Sequence, residues 1–222
     1  MKINEVKTCF KICNVKLIEN SDKLNFEYLN EIVDENGNKL ENNILHKNVP
    51  RVYIICSNGV IKKIGGSEAK GGMMHTLSIY KDGGLMGQPS LRSIGTWWHM
   101  YHELLVNKSN IEIYMIYQDE FNYNVKGLFK KTLKKLSISY KHIENECLAD
   151  YFSVENKYPD WNYKENDEVW PSEVDALEKI CKQNKNKSFA EGKILDFHAE
   201  LKRMGFTNTK IIRSKQTNKR KS

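Results

Sequence analysis

The sequence predicts an α/β (α+β) fold with a small, mixed, three-stranded central sheet flanked by helices. Two β-branched runs flank Asn58-Gly59, which is the strongest local signal for a β-hairpin. A mostly apolar run over residues 111–117 predicts a third, central strand. Amphipathic segments over residues 96–106 and 141–154 predict helices before and after that strand.

The register of the predicted hairpin decides whether a tyrosine and a lysine meet. In a two-residue turn, Tyr53 faces Ile64; in a three-residue turn with a left-handed Gly59, Tyr53 faces Lys63. Both turns suit an Asn-Gly pair, but only the second places phenol and ammonium together on one face. A cation beside a phenol favours the phenolate and lowers the pKa of the tyrosine, which makes it a base. A tyrosine that merely packs remains the alternative.

The remaining segments predict appendages around this core. We expect an N-terminal arm over residues 1–49, a core over 50–165 and a C-terminal helical extension over 166–222. Within the extension, one helix begins near Pro171 and a last helix spans residues 189–204. The final thirteen residues hold six basic groups and no acidic ones, so this tail is either disordered or folds along a polyanion.

Glycine is concentrated between residues 65 and 95, which contain eight of the chain's thirteen glycines. A long glycine-rich loop in a compact domain is usually functional or mobile, and it lets the backbone approach a ligand closely. We therefore expect a loop here that could contact a substrate.

The charge is unevenly distributed along a chain with net charge +7 and pI near 9.0. Residues 144–178 hold eleven acidic groups and two lysines, whereas the rest of the chain has 33 Lys and Arg against 17 Asp and Glu. A phosphate-binding surface beside a cation-holding carboxylate has this pattern, and so does a solvated acidic helix. A basic segment predicted as a loop, residues 126–135, follows the third strand.

The cysteines indicate a reducing compartment. The five cysteines are an odd number, and Cys9 and Cys13 have no second pair to complete a zinc site. No apolar run approaches membrane-spanning length, and the N-terminus lacks a signal-peptide core. We expect a cytoplasmic protein with reduced thiols and no membrane partner.

Two short motifs carry a family resemblance. Val52-Tyr53-Ile54 and Lys63-Ile64-Gly65 resemble the two half-motifs of the GIY-YIG nuclease superfamily. Arg51 or Val52 stands at the first glycine and Lys63 at the second tyrosine, which is similar to a branch of type II restriction endonucleases. The predicted order of hairpin, helix, strand and helix also matches that family's core.

The resemblance implies a set of site residues. Tyr53, assisted by Lys63, would accept the proton of an attacking water, and Glu144 would hold Mg²⁺ (or Mn²⁺) from the helix, with Glu146 as the fallback. Pro159-Asp160-Trp161-Asn162 resembles the family's closing element, in which Asn162 would fix the backbone of the site. One carboxylate with phosphate oxygens and water suits Mg²⁺.

The residue that would bind the scissile phosphate departs from the family pattern. The family places an arginine on the helix after the second half-motif, but residues 67–80 contain none, and Lys70 and His75 are the only cations there. Arg92 follows at the end of the glycine-rich segment. A planar guanidinium suits phosphate better than ammonium does, which favours Arg92.

Two further patterns on the helix over residues 96–106 have open interpretations. His99 and His102 could bind metal or transfer protons, but helical histidines without a third ligand are more often packed or solvated. Trp97-Trp98 is more simply core, although one ring could support a base or a sugar.

The resemblance implies a type II restriction endonuclease that hydrolyses double-stranded DNA at a specific short sequence. Two-fold symmetric sites favour a homodimer, and such an enzyme is paired with a cognate DNA methyltransferase. Basic residues would contact phosphates, while sequence reading would come from loops, with residues 67–95 as the candidate. The alternatives are a non-catalytic nucleic-acid-binding module of the same fold, and a repair or homing nuclease.

Overall fold

A computed structural model describes residues 1–185 except 20, 22, 42 and 84–88, together with residue 203. The predicted helix over 189–204, apart from residue 203, and the basic tail lie outside the described residues. The chain divides into two compact units. The first contains residues 1–15, 26–79 and 109–169, and the second contains 16–25, 80–108 and 170–222.

Five strands form one sheet. Its strands are β1 (Phe10–Leu17), β2 (Leu24–Tyr28), β3 (Arg51–Ser57), β4 (Val60–Ser67) and β5 (Ile111–Tyr117), in the order β2-β1-β5-β3-β4. The α+β class is confirmed, but the sheet has five strands rather than three, because the predicted N-terminal arm supplies β1 and β2. Three of the strand pairings, β1–β5, β5–β3 and β3–β4, are antiparallel. The predicted mixture of parallel and antiparallel strands does not occur in these pairings.

The hairpin of β3 and β4 closes with a two-residue turn. Asn58 and Gly59 have φ of 49° and 76°, and two consecutive positive φ values match the right-handed twist of the flanking strands. A bulge then adds one residue to β4, so that Ile55 pairs with Lys63 and Tyr53 pairs with Gly65. Both predicted partners of Tyr53 are therefore wrong, because the turn signal carried no information about the bulge.

The strand β3 is buried along its whole length, since β4 and β5 flank it. Helix α3 (Tyr140–Glu155) covers one face of the sheet, where a cluster of apolar side chains joins the hairpin to the helix. The buried members of this cluster are Val52, Ile54, Cys56, Ile61, Ile64, Leu148 and Tyr151. This packing fixes α3 against the hairpin.

Two predicted loops of the chain contain regular structure. The glycine-rich segment holds helix α1 (Gly72–Tyr80), so the prediction of one long loop over 65–95 is wrong. The basic segment forms two paired strands, β6 (Phe121–Lys126) and β7 (Lys131–Leu136), rather than a loop. Helix propensity in the first segment and strand alternation in the second were obscured by glycines and lysines.

The second unit contains two helices that pack against each other, α2 (Leu91–His102) and α4 (Ser172–Lys185). Helix α2 starts five residues earlier than predicted because the Ser90 side chain accepts a hydrogen bond from the Ser93 N–H and caps it. Trp97 is fully buried, with its ring stacked on Tyr101. Among the described residues, no helix has the length and apolar character needed to span a bilayer.

Candidate active site

The Tyr53 side chain packs over Gly65 of β4. It is 1% exposed, and a Cβ added at Gly65 would overlap its hydroxyl and lie 2.5 Å from Cζ. Only glycine leaves room for the phenol at this position. Gly65, which sequence reasoning treated as the end of a strand, is therefore the residue that admits the tyrosine side chain.

Lys63 shares a face of the sheet with Tyr53. Because Lys63 pairs with Ile55 and Tyr53 pairs with Gly65, the tyrosine and the lysine are diagonal neighbours, with Cα atoms roughly 7–8 Å apart. The lysine is 3% exposed, and its Nζ donates to the Trp161 carbonyl at 3.3 Å. The sheet thus brings phenol and ammonium to one face. The register that does so pairs Tyr53 with Gly65, which neither of the two predicted turns would give.

The segment containing Asn162 covers the outer edge of β4. The Trp161 N–H donates to the Lys62 carbonyl at 2.8 Å. The Ile64 N–H donates to Asn162 Oδ1 at 3.0 Å, and Asn162 Nδ2 donates back to the Ile64 carbonyl at 2.9 Å. Asn162 is 1% exposed, so these bonds satisfy an edge backbone that would otherwise be buried without partners.

Glu144, on helix α3, contacts the same edge of β4 at Gly66, two residues after Ile64. Its Oε1 accepts from the Gly66 N–H at 2.7 Å, which fixes the carboxylate against the strand. A Cβ at Gly66 would lie 2.5 Å from Tyr140 Cδ2 and 2.9 Å from Glu144 Oε2. Glu144 is half-buried, whereas Glu146 is exposed on the same helix. Of the two predicted alternatives, Glu144 is thus the one that the hairpin backbone holds in place.

The tyrosine and the glutamate approach the strand from different sides. Tyr53 and Lys63 lie on one face, whereas Glu144 belongs to α3, which packs on the other face. The Tyr53 hydroxyl meets Gly65 and the Glu144 carboxylate meets Gly66, so both groups contact consecutive residues of one edge strand. Neither glycine places a side chain between them.

An ion-pair cluster anchors the closing element. Asp160 accepts from Lys62 Nζ at 2.7 Å and from Lys157 Nζ at 2.8 Å. Partial burial would raise the pKa of Asp160, but its hydrogen bonds and attraction to the two lysines hold that pKa below the usual range. The same bonds raise the pKa of Lys157. Sequence reasoning missed this role, although Asp160 was visible within the motif.

The candidate phosphate-binding cations fall in different units. Lys70 and His75 belong to the first unit and are exposed, with His75 on α1. Arg92 is exposed at the second position of α2, in the second unit. The choice among the three cations stays a prediction.

His102 of α2 packs against an aromatic side chain. His102 packs on Trp98 with ring centroids 5.5 Å apart, and Trp98 is itself buried. In the described part of the chain, no group of three or more His, Cys, Asp or Glu side chains is arranged to hold a metal ion. The contact of His102 with Trp98 therefore agrees with packing on α2.

The cysteines carry no disulfides. Cys9, Cys13, Cys56, Cys147 and Cys181 are all free thiols. Burial raises the pKa of Cys13 to about 12 and that of Cys147 to about 11, so neither is a thiolate near neutral pH. Nucleophilic cysteine chemistry has no support at these two thiols.

The chain was compared with protein families, curated proteins and solved structures. No protein-family model and no curated protein matches the chain. The chain is similar to restriction endonuclease HPY188I in complex with product DNA, with 20% identity, TM-score 0.37, and 68% of this chain and 78% of that chain covered. It is also similar to a mutant of bacteriophage T4 EndoII, with 15% identity, TM-score 0.44, and 73% and 99% covered. Both similar proteins are endonucleases by name. The description of the site rests on the residues of this chain alone.

Proposed function

We propose that the protein is a Mg²⁺-dependent DNA endonuclease of the type II restriction class, in the GIY-YIG branch that has lysine at the second half-motif. One observation carries the proposal. The Tyr53 hydroxyl and the Glu144 carboxylate contact the adjacent residues Gly65 and Gly66, with Lys63 on the tyrosine's face. A base and a cation on one face of the sheet, with a metal-binding acid at the next residue of β4, suit phosphodiester hydrolysis.

In this proposal Tyr53 is the general base. As phenolate it takes a proton from the water that attacks phosphorus, while the bond to the leaving oxygen breaks. The ammonium of Lys63 stabilises the phenolate by its charge. The contact of the tyrosine with Gly65 restricts its ring, and a fixed base removes the cost of orienting it during reaction.

Glu144 is the proposed ligand for the cation. Mg²⁺ retains most of its water and is commonly held by one or two carboxylates plus phosphate oxygens, so a single oriented glutamate fits it. The bond from the Gly66 N–H to Oε1 fixes the carboxylate, which supports this assignment. A bound Mg²⁺ would polarise the phosphate and stabilise charge on the leaving oxygen. Mn²⁺ has the same preference for oxygen ligands.

Asn162 is proposed as a positioning residue, because it bonds both backbone groups of Ile64, the residue after Lys63. Arg92 is proposed to stabilise charge on the scissile phosphate. Duplex DNA is the proposed substrate of a basic chain, with a homodimer for a symmetric site and a cognate methyltransferase protecting the host DNA.

Cleavage of plasmid DNA with and without Mg²⁺ tests the proposal. Tyr53→Phe and Glu144→Ala should each lower cleavage by about a hundredfold or more. Tyr114→Phe and Glu146→Ala are matched controls, since Tyr114 lies on the neighbouring strand facing the other side and Glu146 is exposed. Discrete fragments are expected. Cleavage retained in both test variants would reject the assignments.

The same assay separates the three cations. Arg92→Ala should cost more cleavage than Lys70→Ala or His75→Ala, because guanidinium binds phosphate with two hydrogen bonds. The reverse order would assign phosphate binding to Lys70, just before α1, or to His75 within that helix.

A non-catalytic DNA-binding module is the second candidate. It is favoured by the composition of α1, in which residues 72–80 contain no arginine. DNA binding by the wild-type protein without cleavage at any Mg²⁺ or Mn²⁺ concentration would establish this alternative.

A further inference from the structure

The β6–β7 hairpin is exposed and basic. Residues 121–136 contain five lysines and no acidic residue. Its tip carries Leu128 and Phe129, which are 96% and 99% exposed. Lys135 lies 3.8 Å from Glu120 at the base of the hairpin, but exposed pairs of this kind contribute little. An isolated two-stranded ribbon is only marginally stable. The five lysines of this ribbon suit a polyanionic partner, which would also stabilise it.

The pairing register divides the hairpin into two unlike faces. Directly paired residues share a face, and successive pairs alternate between faces. One face is polar and contains Asn122, Asn124, Lys126, Lys131, Leu133 and Lys135. The opposite face is mainly apolar and contains Phe121, Tyr123, Val125, Thr132, Lys134 and Leu136. Three of the five lysines and both asparagines therefore lie on one side.

The hairpin is attached at the same end of the sheet as the candidate site. Residues 118–120 connect it to β5, whose last residue, Tyr117, pairs with Arg51, two residues from Tyr53. Residues 137–139 connect it to α3, whose first residue, Tyr140, packs beside Gly66. All of these residues belong to the first unit.

We propose that the β6–β7 hairpin enters the major groove of duplex DNA and reads base edges with its polar face. This inference rests on the proposed endonuclease function and names the sequence reader of that enzyme. The major groove accommodates a two-stranded ribbon, asparagine pairs with adenine, and lysine binds guanine or phosphate. The assignment replaces residues 67–95 as the sequence-reading element.

The spacing of the two asparagines matches the spacing of base pairs. Asn122 and Asn124 are two residues apart on one strand, which is roughly 6.6 Å. Two base-pair steps of DNA span about 6.8 Å. A strand that follows the groove would therefore bring these side chains to positions two base pairs apart.

The lysines are tested by the salt dependence of binding. The probe is a DNA duplex library with a randomised centre, bound by the full-length protein with Ca²⁺ in place of Mg²⁺. Lys131→Gln with Lys135→Gln should lower the slope of log affinity against log salt by about 0.9 for each phosphate that the protein no longer neutralises. Lys134→Gln removes one charge from the other face and should leave the slope unchanged. An equal fall per lysine on both faces would overturn the face assignment.

The asparagines are tested by sequence choice. Sequencing of cut ends from the randomised library should show that Asn122→Ala and Asn124→Ala each relax one position, by about five- to hundredfold, at sites two base pairs apart. Thr132→Ala, on the opposite face, is the matched control and should retain the wild-type preference. Unchanged preference in both asparagine variants would overturn the proposal.

Replacing residues 121–136 by a short glycine linker separates this inference from the proposed function. The expected result is cleavage that persists with altered or lost sequence preference. Unchanged preference, or a dimer that becomes a monomer while its sequence preference is kept, would overturn the groove-reading role. Loss of cleavage only in Tyr53→Phe and Glu144→Ala, with the linker variant unaffected in sequence choice, would keep the endonuclease and reject the ribbon.

Discussion

The contact between Asn162 and Ile64 gives a prediction with a magnitude. Asn162→Ala removes both side-chain bonds to the Ile64 backbone, at 3.0 and 2.9 Å, in a region where Asn162 is 1% exposed. An unsatisfied buried N–H or C=O costs about 1–3 kcal/mol, so the pair should cost about 2–6 kcal/mol of unfolding free energy. This is less than the total stability of most domains, and the variant should fold.

The position of Ile64 gives the second part of this prediction. Ile64 lies between Lys63 and Gly65, so a loosened edge strand should also displace the lysine and the tyrosine contact. Displacements of about 1 Å can cost about a hundredfold in rate. Asn162→Asp retains the acceptor for the Ile64 N–H but loses the donor to its carbonyl. The buried carboxylate would face the Ile64 carbonyl and Glu165, which now accept from Asn162 Nδ2, so we expect Asn162→Asp to lose at least as much stability and cleavage as Asn162→Ala.

Urea denaturation and plasmid cleavage measure the two effects separately. Asn166→Ala is the matched control, because Asn166 bonds the backbone of Tyr158 and Pro159 in the same segment but has no bond to β4 among the described residues. It should lose some stability while retaining cleavage. A stability loss below about 1 kcal/mol for Asn162→Ala would refute the reasoning from buried bonds. Equal cleavage losses in both variants would refute its positioning role.

Three further predictions follow from the site and the core. Gly65→Ala should lower cleavage by about a hundredfold, because its Cβ would overlap the Tyr53 hydroxyl, and a far-ultraviolet spectrum checks that the fold is retained. The pKa of Asp160 is lowered by two lysines, so its stabilisation is present above pH about 4 and is lost as pH falls through its folded pKa. Asp160→Asn should therefore be less stable at pH 7, and urea titrations should show the difference shrinking below pH about 4. The thiols of Cys13 and Cys147 have pKa raised by burial to about 12 and about 11, so a thiol reagent at pH 8 should modify them slowly in the native protein and rapidly in urea. Fast native modification would contradict their burial.

Elements with a strong local signal could be predicted from the sequence. The hairpin was visible because Asn58 and Gly59 both adopt positive φ, which the Asn-Gly pair favours. The strand over residues 111–117 was predicted with its observed bounds, and α3 differs from its prediction by one residue at each end. In these segments local preference and tertiary packing agree.

Features that depend on distant partners could not be predicted in the same way. The bulge that moves Lys63 opposite Ile55 lies where the edge of β4 contacts residues 160–162. Those residues are about a hundred positions away in the sequence, so no local pattern could indicate the bulge. The strands of the N-terminal arm pair with β5 rather than with a sequence neighbour, so their place in the sheet had no local signal. The β6–β7 ribbon has lysines on both strands and exposed side chains, which weakens the alternation that indicates a half-buried strand.

The position of the candidate site on an edge strand links its geometry to its stability. Interior strands satisfy both sides of their backbone with neighbours, but the outer side of β4 is satisfied by Asn162 and Glu144 instead. The carboxylate proposed to hold the cation therefore also caps the Gly66 N–H. Glu144→Gln retains an oxygen acceptor for that N–H while removing the negative charge, so it should lose cleavage with little loss of stability. This variant separates the structural role of the side chain from its chemical role, which alanine does not.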